Sequence, residues 1–298
     1  MDEGGYDAVW LAEHHFNTYS VCPSVVTMGT HIAARTKNLR IGTAVTLSAF
    51  YHPLRLAEEL AMLDILSGGR LNWGAGRGFD QTEFRAFDVP IAESADRFRE
   101  CVDIVRRAWT EERLSYHGQF WNFDDVQVLP PPLQKPHPPI WMAATSPEAI
   151  ARSAALGETI LMDPHASHAE IGRKRALYAR LLGENGFTIE GRDIPTARLL
   201  AIAPTRAAAE KVARDGAAWT VGSYAKGPAR TGGGVDREPD EDPVERYLRD
   251  VVICGTPEEV VDRIQELRGE IGLDYLLCSP LSHETFELFT KQVLPRLV

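Results

Sequence analysis

The sequence contains two adjacent histidines whose side chains could take part in chemical steps. His14 and His15 follow a short apolar run and stand between Glu13 and Phe16. An imidazole can give or take a proton near neutral pH, so either ring could act as a general acid or base. Consecutive side chains at a strand end point in opposite directions, so we expect one ring in a site and one in packing. The alternative is that both are structural.

Two further segments could hold an anion. In residues 74–78 (GAGRG) the glycines let the backbone approach a ligand closely, and Arg77 offers a guanidinium suited to a phosphate. At residues 145–148 (TSPE), Ser146 is a good N-cap and Pro147 a good first helical residue. The free N–H groups there, with the Thr145 and Ser146 hydroxyls, could bind an anion. A tight turn and simple capping are the alternatives, and the similar residues 256–259 indicate only a cap.

Short β-rich runs alternate with helical periodicity along the whole chain. Seven runs are predicted strands, at residues 8–12, 39–46, 71–75, 140–144, 159–162, 198–203 and 275–278. Residues 53–67 and 95–109 are predicted helices. Such alternation predicts a parallel sheet, and without a visible linker it favours one (β/α) barrel domain over residues 1–298. All three candidate segments then follow strands, where the sites of such barrels form.

Some segments depart from this alternation. Residues 116–139 are aromatic and then proline-rich, and we expect a hairpin followed by an extended stretch. A second insertion is predicted within residues 208–255, where residues 222–243 form a solvated loop or a lid. Seven strands are one too few for an eight-stranded barrel. We therefore expect the first βα unit to be missing from this chain.

Composition excludes several classes of protein. The 298 residues carry a formal charge of −10, which argues against a nucleic-acid or anionic-membrane partner. There is no signal peptide pattern and no apolar run long enough to span a membrane. The four cysteines form no C-x-x-C pair, which favours reduced thiols, no metal framework and a cytoplasmic location.

The sequence resembles the bacterial luciferase-like monooxygenases, a family of flavin-dependent (β/α)8 barrels. The stretches that carry the resemblance are residues 6–16 (YDAVWLAEHHF), 41–59 (IGTAVTLSAFYHPLRLAEE), 63–79 (LDILSGGRLNWGAGRGF), 139–146 (PIWMAATS) and 254–260 (CGTPEEV). The resemblance implies reduced FMN over the strand that ends at Ala44 and Val45, with a non-proline cis peptide there.

The resemblance also implies roles for individual residues. His14 matches the active-site histidine of the family, and Arg77, Thr145 and Ser146 match positions near the flavin phosphate. Gly76 and Ala144, which flank these residues, complete the predicted cofactor site.

Four functions follow as hypotheses. The first is a two-component monooxygenase that uses reduced FMN from a separate reductase and O2 to oxidise a small organic substrate. The second is an F420-dependent hydride-transfer oxidoreductase on the same barrel, and the third is a non-catalytic flavin-binding subunit. A metal hydrolase using His14, His15, His165 and His168 is the least favoured. By analogy with such barrels we expect a homodimer.

Overall fold

The computed structural model describes residues 1–18, 20–162, 164–225 and 241–298. These residues form two compact units, Met1–Ala143 and Ala144–Val298. In the ranges described, no helix is both long and apolar enough to cross a membrane.

The first unit is built on a parallel sheet. Its strands are β1 (Ala8–Leu11), β2 (Arg40–Thr43), β3 (Thr46–Leu47), β4 (Leu71–Gly76), β5 (Leu114–His117), β6 (Asn122–Val126) and β7 (Ile140–Ala143). The order is β1-β2-β4-β7, all parallel, and β3 also pairs with β4. β4 is buried along its whole length, as a strand covered on both faces should be. Of the four strands predicted for this part of the chain, those at residues 8–12, 71–75 and 140–144 are confirmed.

The fourth prediction needs a correction, because residues 39–46 are not a single strand. The backbone ladder is interrupted between β2 and β3. The Thr43 hydroxyl takes over there: it donates to the Gly74 carbonyl at 2.7 Å and accepts from the Gly74 N–H at 2.9 Å. A short polar side chain thus replaces ladder bonds in a way that the apolar pattern does not reveal.

Four helices accompany this sheet. They are α1 (Val25–Arg35), α2 (Pro53–Ser67), α3 (Gln81–Ala86) and α4 (Ser94–Thr110). The predicted helices at residues 53–67 and 95–109 are therefore confirmed. α2 begins at Pro53 and ends at Gly68, which is left-handed (φ 71°) and donates its N–H to the Asp64 and Ile65 carbonyls.

We expect Gly68→Ala to lower the free energy of unfolding by about 1 kcal/mol, because a Cβ is disfavoured in left-handed backbone. No atom lies within 4 Å of the position a Cβ would take, so the backbone conformation alone sets the effect. Urea unfolding followed by circular dichroism measures it. Gly68→Asn is the matched control, since asparagine tolerates this conformation and should cost less. An equal loss for both variants would contradict the explanation.

The predicted hairpin within residues 116–139 corresponds to antiparallel β5 and β6. Glu100 on α4 holds the turn, because its carboxylate accepts the backbone N–H groups of Gln119, Phe120 and Trp121 at 3.1–3.2 Å. The hairpin is thereby tied to the helix that packs on the sheet.

The second unit contains the remaining strands, β8 (Thr159–Leu161), β9 (Pro195–Ile202), β10 (Val252–Gly255) and β11 (Tyr275–Pro280). β9 lies between β10 and β11, all parallel, and Met162 forms a bridge to Thr196 of β9. The three strands predicted here are confirmed. β9 begins three residues before its predicted start, at Pro195. Proline is tolerated there because it is the first residue of the strand. β10 was not predicted, because it lies within residues 208–255, where an insertion was expected from the sequence.

The helices of this unit are α5 (Pro147–Ala155), α6 (His168–Glu184), α7 (Arg206–Ala225), α8 (Pro243–Asp250), α9 (Pro257–Ile271) and α10 (His283–Leu288). The predicted loop at residues 222–243 starts too early, because α7 continues through residue 225. Val221 on α7 packs against Tyr247 and Val251, and this contact supports the helix near its end. Residues 226–240, which are most of the predicted loop or lid, lie outside the described part of the chain, and the predicted loop ends where α8 begins at Pro243.

Candidate active site

His14 lies just after β1, where it meets a buried carboxylate. Its Nδ1 is 3.1 Å from Oε1 of Glu83, a residue of α3. The same oxygen accepts the backbone N–H of His15 at 2.8 Å. The Glu83 side chain is fully buried and that of His14 is 11% exposed. Phe79 packs edge-on against the His14 ring, with centroids 5.7 Å apart. The ring is therefore held on one edge and shielded by an aromatic side chain.

His15 points to a different carboxylate. Its Nε2 lies 3.0 Å from Oε1 of Glu13, and the Tyr51 hydroxyl donates to the same oxygen at 3.0 Å. Burial raises the pKa of Glu13 and, more strongly, that of Tyr51. His15 also packs edge-on against Phe87. The two adjacent imidazoles thus have separate partners, as the strand-end geometry predicts.

The end of β2 lies next to these residues. The peptide bond between Ala44 and Val45 is cis, as the family resemblance implied. Across from it, Gly76 ends β4, and a Cβ on this glycine would lie 2.2 Å from Cγ2 of Val45. Glycine is required at position 76 because the Val45 side chain fills that space.

Arg77 follows β4 directly. Its side chain is exposed, and within the described ranges it makes no hydrogen bond or ion pair. Gly78 turns the chain away with a φ of 81°, a conformation that favours glycine. A guanidinium at a strand end without a protein partner is available for an anionic ligand.

The second unit contains the other predicted phosphate ligands. Ala144 is buried and Thr145 is exposed. Ser146 is the N-cap of α5, and its hydroxyl oxygen accepts the Ala149 N–H at 3.2 Å. The Glu148 carboxylate accepts hydrogen bonds from its own backbone N–H and from the Ser146 hydroxyl. These two bonds, the first more than the second, lower the pKa of the carboxylate. The predicted capping is therefore confirmed, and a carboxylate already lies at this helix N-terminus.

The other histidines singled out by the sequence also lie in the second unit. Nδ1 of His165 is 2.9 Å from the Tyr247 hydroxyl. His168 is buried, and burial followed by the Arg198 guanidinium lowers its pKa to about 3. A ring that stays neutral near pH 7 is a poor proton carrier. Within the described ranges, no three His, Cys, Asp or Glu side chains come together in a way that could hold a metal ion.

In the first unit the fold brings His14, Ala44, Val45, Gly76 and Arg77 to one edge. They follow β1, β2 and β4, which are neighbouring parallel strands whose carboxyl ends meet there. The cooperation of Arg77 with the Ser146 helix end stays a prediction.

Sequence reasoning missed Glu13, Tyr51 and Glu83 as partners of the site. Glu13 stands inside the motif used above, but Tyr51 and Glu83 are 37 and 69 residues from His14 along the chain. No local pattern could reveal these contacts.

With the fold and the strand-end edge described, the chain can be compared with known families. A family model described as luciferase-like monooxygenase matches residues 1–275. The chain therefore belongs to the luciferase-like monooxygenase family.

Two curated relatives show the range of similarity. The oxygenase component of flavin-dependent trigonelline monooxygenase from Acinetobacter baylyi is 34% identical over 166 residues, which cover 55% of this chain and 46% of that protein. The FMNH2-dependent dimethylsulfone monooxygenase of Pseudomonas putida is 28% identical over 291 residues, covering 91% and 77%. The chain spans about half the length of the first curated relatives it matches.

Solved structures show the same fold. Monooxygenase RslO1 from Streptomyces bottropensis is 30% identical, with a TM-score of 0.83 over 100% of this chain and 90% of that one. The F420-dependent tetrahydromethanopterin reductase of Methanopyrus kandleri has a TM-score of 0.77 at 19% identity over 99% and 92%, a likeness of fold alone. The predicted α/β fold thus matches luciferase-like (β/α)8 barrel structures. The absence of a first βα unit stays a prediction.

Proposed function

We propose that this chain is the oxygenase component of a two-component flavin-dependent monooxygenase. It binds reduced FMN delivered by a separate reductase and uses O2 to oxidise a small organic substrate. Membership of the family supports this proposal. So does the similarity to one protein named as an oxygenase component and to another named as FMNH2-dependent.

The observation that carries the proposal is the edge where β1, β2 and β4 end. A shielded imidazole, His14, and an exposed guanidinium, Arg77, which has no partner among the described residues, lie at the same edge of one sheet. A flat phosphorylated ligand has an anionic end and a reactive ring. A guanidinium at one position would bind the anionic end, and an imidazole at another would serve the ring.

The residues at this edge suit FMN. Arg77 would bind the phosphate, and the backbone at Ala44, Val45 and Gly76 would lie against the ring system. Thr145 and Ser146, with Ala144 before them, are the proposed further phosphate ligands. A phosphate at the α5 N-terminus would replace the Glu148 carboxylate there. Bound reduced FMN supplies the electrons for the reaction with O2.

His14 is the residue we propose for proton transfer. Its ring is 11% exposed, so water has little access to it. An imidazole can exchange a proton near neutral pH without a large change in its environment. His15 has its Nε2 bound to Glu13 and is the packing member of the pair.

F420 is the alternative cofactor, since F420-dependent enzymes share this fold. Anaerobic titration of the purified chain with reduced FMN and with reduced F420, followed by calorimetry, distinguishes the two. We expect saturable 1:1 binding of reduced FMN and markedly weaker binding of F420. Tighter binding of F420 would replace the first proposal by the second.

Turnover separates an oxygenase from a flavin-binding subunit. The chain is mixed with NADH, FMN, a flavin reductase and a panel of sulfones, ketones and N-methylated heteroaromatic acids under 18O2. We expect one class of compound to gain labelled oxygen, as detected by mass spectrometry, only when the chain is present. Tight flavin binding without product from any panel member would favour the non-catalytic subunit.

A further inference from the structure

Glu83 meets the one ring that the proposed function uses. One carboxylate oxygen, Oε1, lies 3.1 Å from His14 Nδ1 and also accepts the His15 backbone N–H at 2.8 Å. The hydrogen bond from the His15 N–H fixes the position of the carboxylate relative to the backbone just after β1. We infer that Glu83 is a positioning residue that fixes the tautomer and the orientation of His14. The inference rests on the proposed proton transfer by His14.

The argument begins with the chemistry of the acceptor. Oε1 of Glu83 already accepts the His15 backbone N–H, so it serves as an acceptor, and the ring nitrogen that faces it carries the hydrogen. Nδ1 of neutral His14 is therefore the N–H nitrogen. Nε2 is then the ring nitrogen with the basic lone pair, and it is the atom that takes up a proton. Imidazole in water prefers the opposite tautomer, so the protein has to impose this one.

The surroundings of Glu83 favour its role in positioning His14. The side chain is fully buried, and in the described part of the chain no lysine or arginine pairs with it. Its other oxygen, Oε2, is buried and has no hydrogen-bond partner among the described residues. A carboxylate used only for stability would be expected to satisfy both oxygens or to pair with a cation. Among the described residues, the hydrogen bonds of the Glu83 side chain are both with the histidine pair.

The orientation of the ring follows from the same contact. Phe79 lies edge-on to the imidazole, and the carboxylate holds the Nδ1 edge. Rotation about the ring axis would remove the hydrogen bond to a buried carboxylate, which is costly. Removal of the acceptor should therefore change both the tautomer and the direction in which Nε2 points.

The test begins with the unmodified chain without cofactor, so that it does not depend on the proposed activity. The chain is labelled with 15N-histidine and studied by NMR at mildly alkaline pH. The His14 signals among the nine histidines are assigned from the spectrum of His14→Gln. We expect an N–H type shift for Nδ1 and a bare-nitrogen shift for Nε2. The reverse assignment would overturn the inference, whatever the protein catalyses.

Two variants separate positioning from stability. Glu83→Gln keeps an oxygen where Oε1 stands, so it should retain the tautomer and most of the turnover. Glu83→Met has a similar size and no acceptor. In this variant the tautomer should reverse and kcat should fall by about 10²- to 10⁴-fold, with KM changed little. Equal kcat values for Gln and Met, or an unchanged tautomer in Met, would contradict the positioning role. If the unmodified chain turns over no substrate at all, the proposed function is wrong, and the tautomer result stands by itself.

Discussion

His14→Gln is expected to abolish most turnover while reduced FMN still binds. Glutamine can keep a hydrogen bond to Glu83, but its amide cannot exchange a proton near neutral pH. General acid–base groups contribute about 10²- to 10⁴-fold, so kcat for the substrate found under 18O2 should fall by that factor. Anaerobic calorimetry should give a Kd for reduced FMN within about twofold of the original.

The neighbouring histidine provides the control. His15→Gln makes the same substitution one residue away, on a ring that binds Glu13 and packs against Phe87. It should change kcat far less than His14→Gln, although it will lower the unfolding midpoint. Comparable losses of kcat in the two variants would mean that the loop, and not the His14 imidazole, matters for the reaction.

Arg77→Met is expected to weaken the binding of reduced FMN by about 10- to 100-fold, the worth of a hydrogen-bonded charge contact. The loss should be confined to ligands with a phosphate, so reduced riboflavin should bind equally well to both proteins. The side chain is exposed and makes no contact within the described ranges that its removal would break. Folding should therefore be unaffected.

Arg85→Met controls for the change in net charge. Arg85 is an exposed arginine on α3, eight residues along the chain and outside the glycine-flanked turn. Its removal should alter the Kd for reduced FMN by less than about twofold. If the two variants weaken binding equally, Arg77 acts only through general electrostatics, and the proposed phosphate contact is wrong.

Much of the fold could be predicted because its signals are local. The strand at residues 71–75 is a buried run that ends at glycines, and its neighbours in the sheet have the same form. α2 carries its own start and stop signals in Pro53 and Gly68. The apolar pattern misled at Thr43, where a hydroxyl replaces ladder bonds, and it did not reveal β10.

The sequence could predict the residues proposed to act on the cofactor, but not the residues that hold them in place. His14 and Arg77 follow strands, and that position is visible in the sequence. Glu83 and Tyr51 come from a short helix and from the loop that leads into α2, far from His14 along the chain. The hydrophobic periodicity does not reveal a buried carboxylate, because a single glutamate in an amphipathic helix is predicted to face solvent.

The amino-acid sequence by itself determined the alternation of strands and helices, the caps, and the residues that stand at strand ends. These depend on neighbours within about one helical turn. Only the tertiary structure decided which carboxylate meets which imidazole, where the strand after residue 43 breaks, and which guanidinium stays unpaired within the described ranges. Those outcomes depend on chain segments brought together from tens of residues apart, and on the burial that makes their polar contacts obligatory.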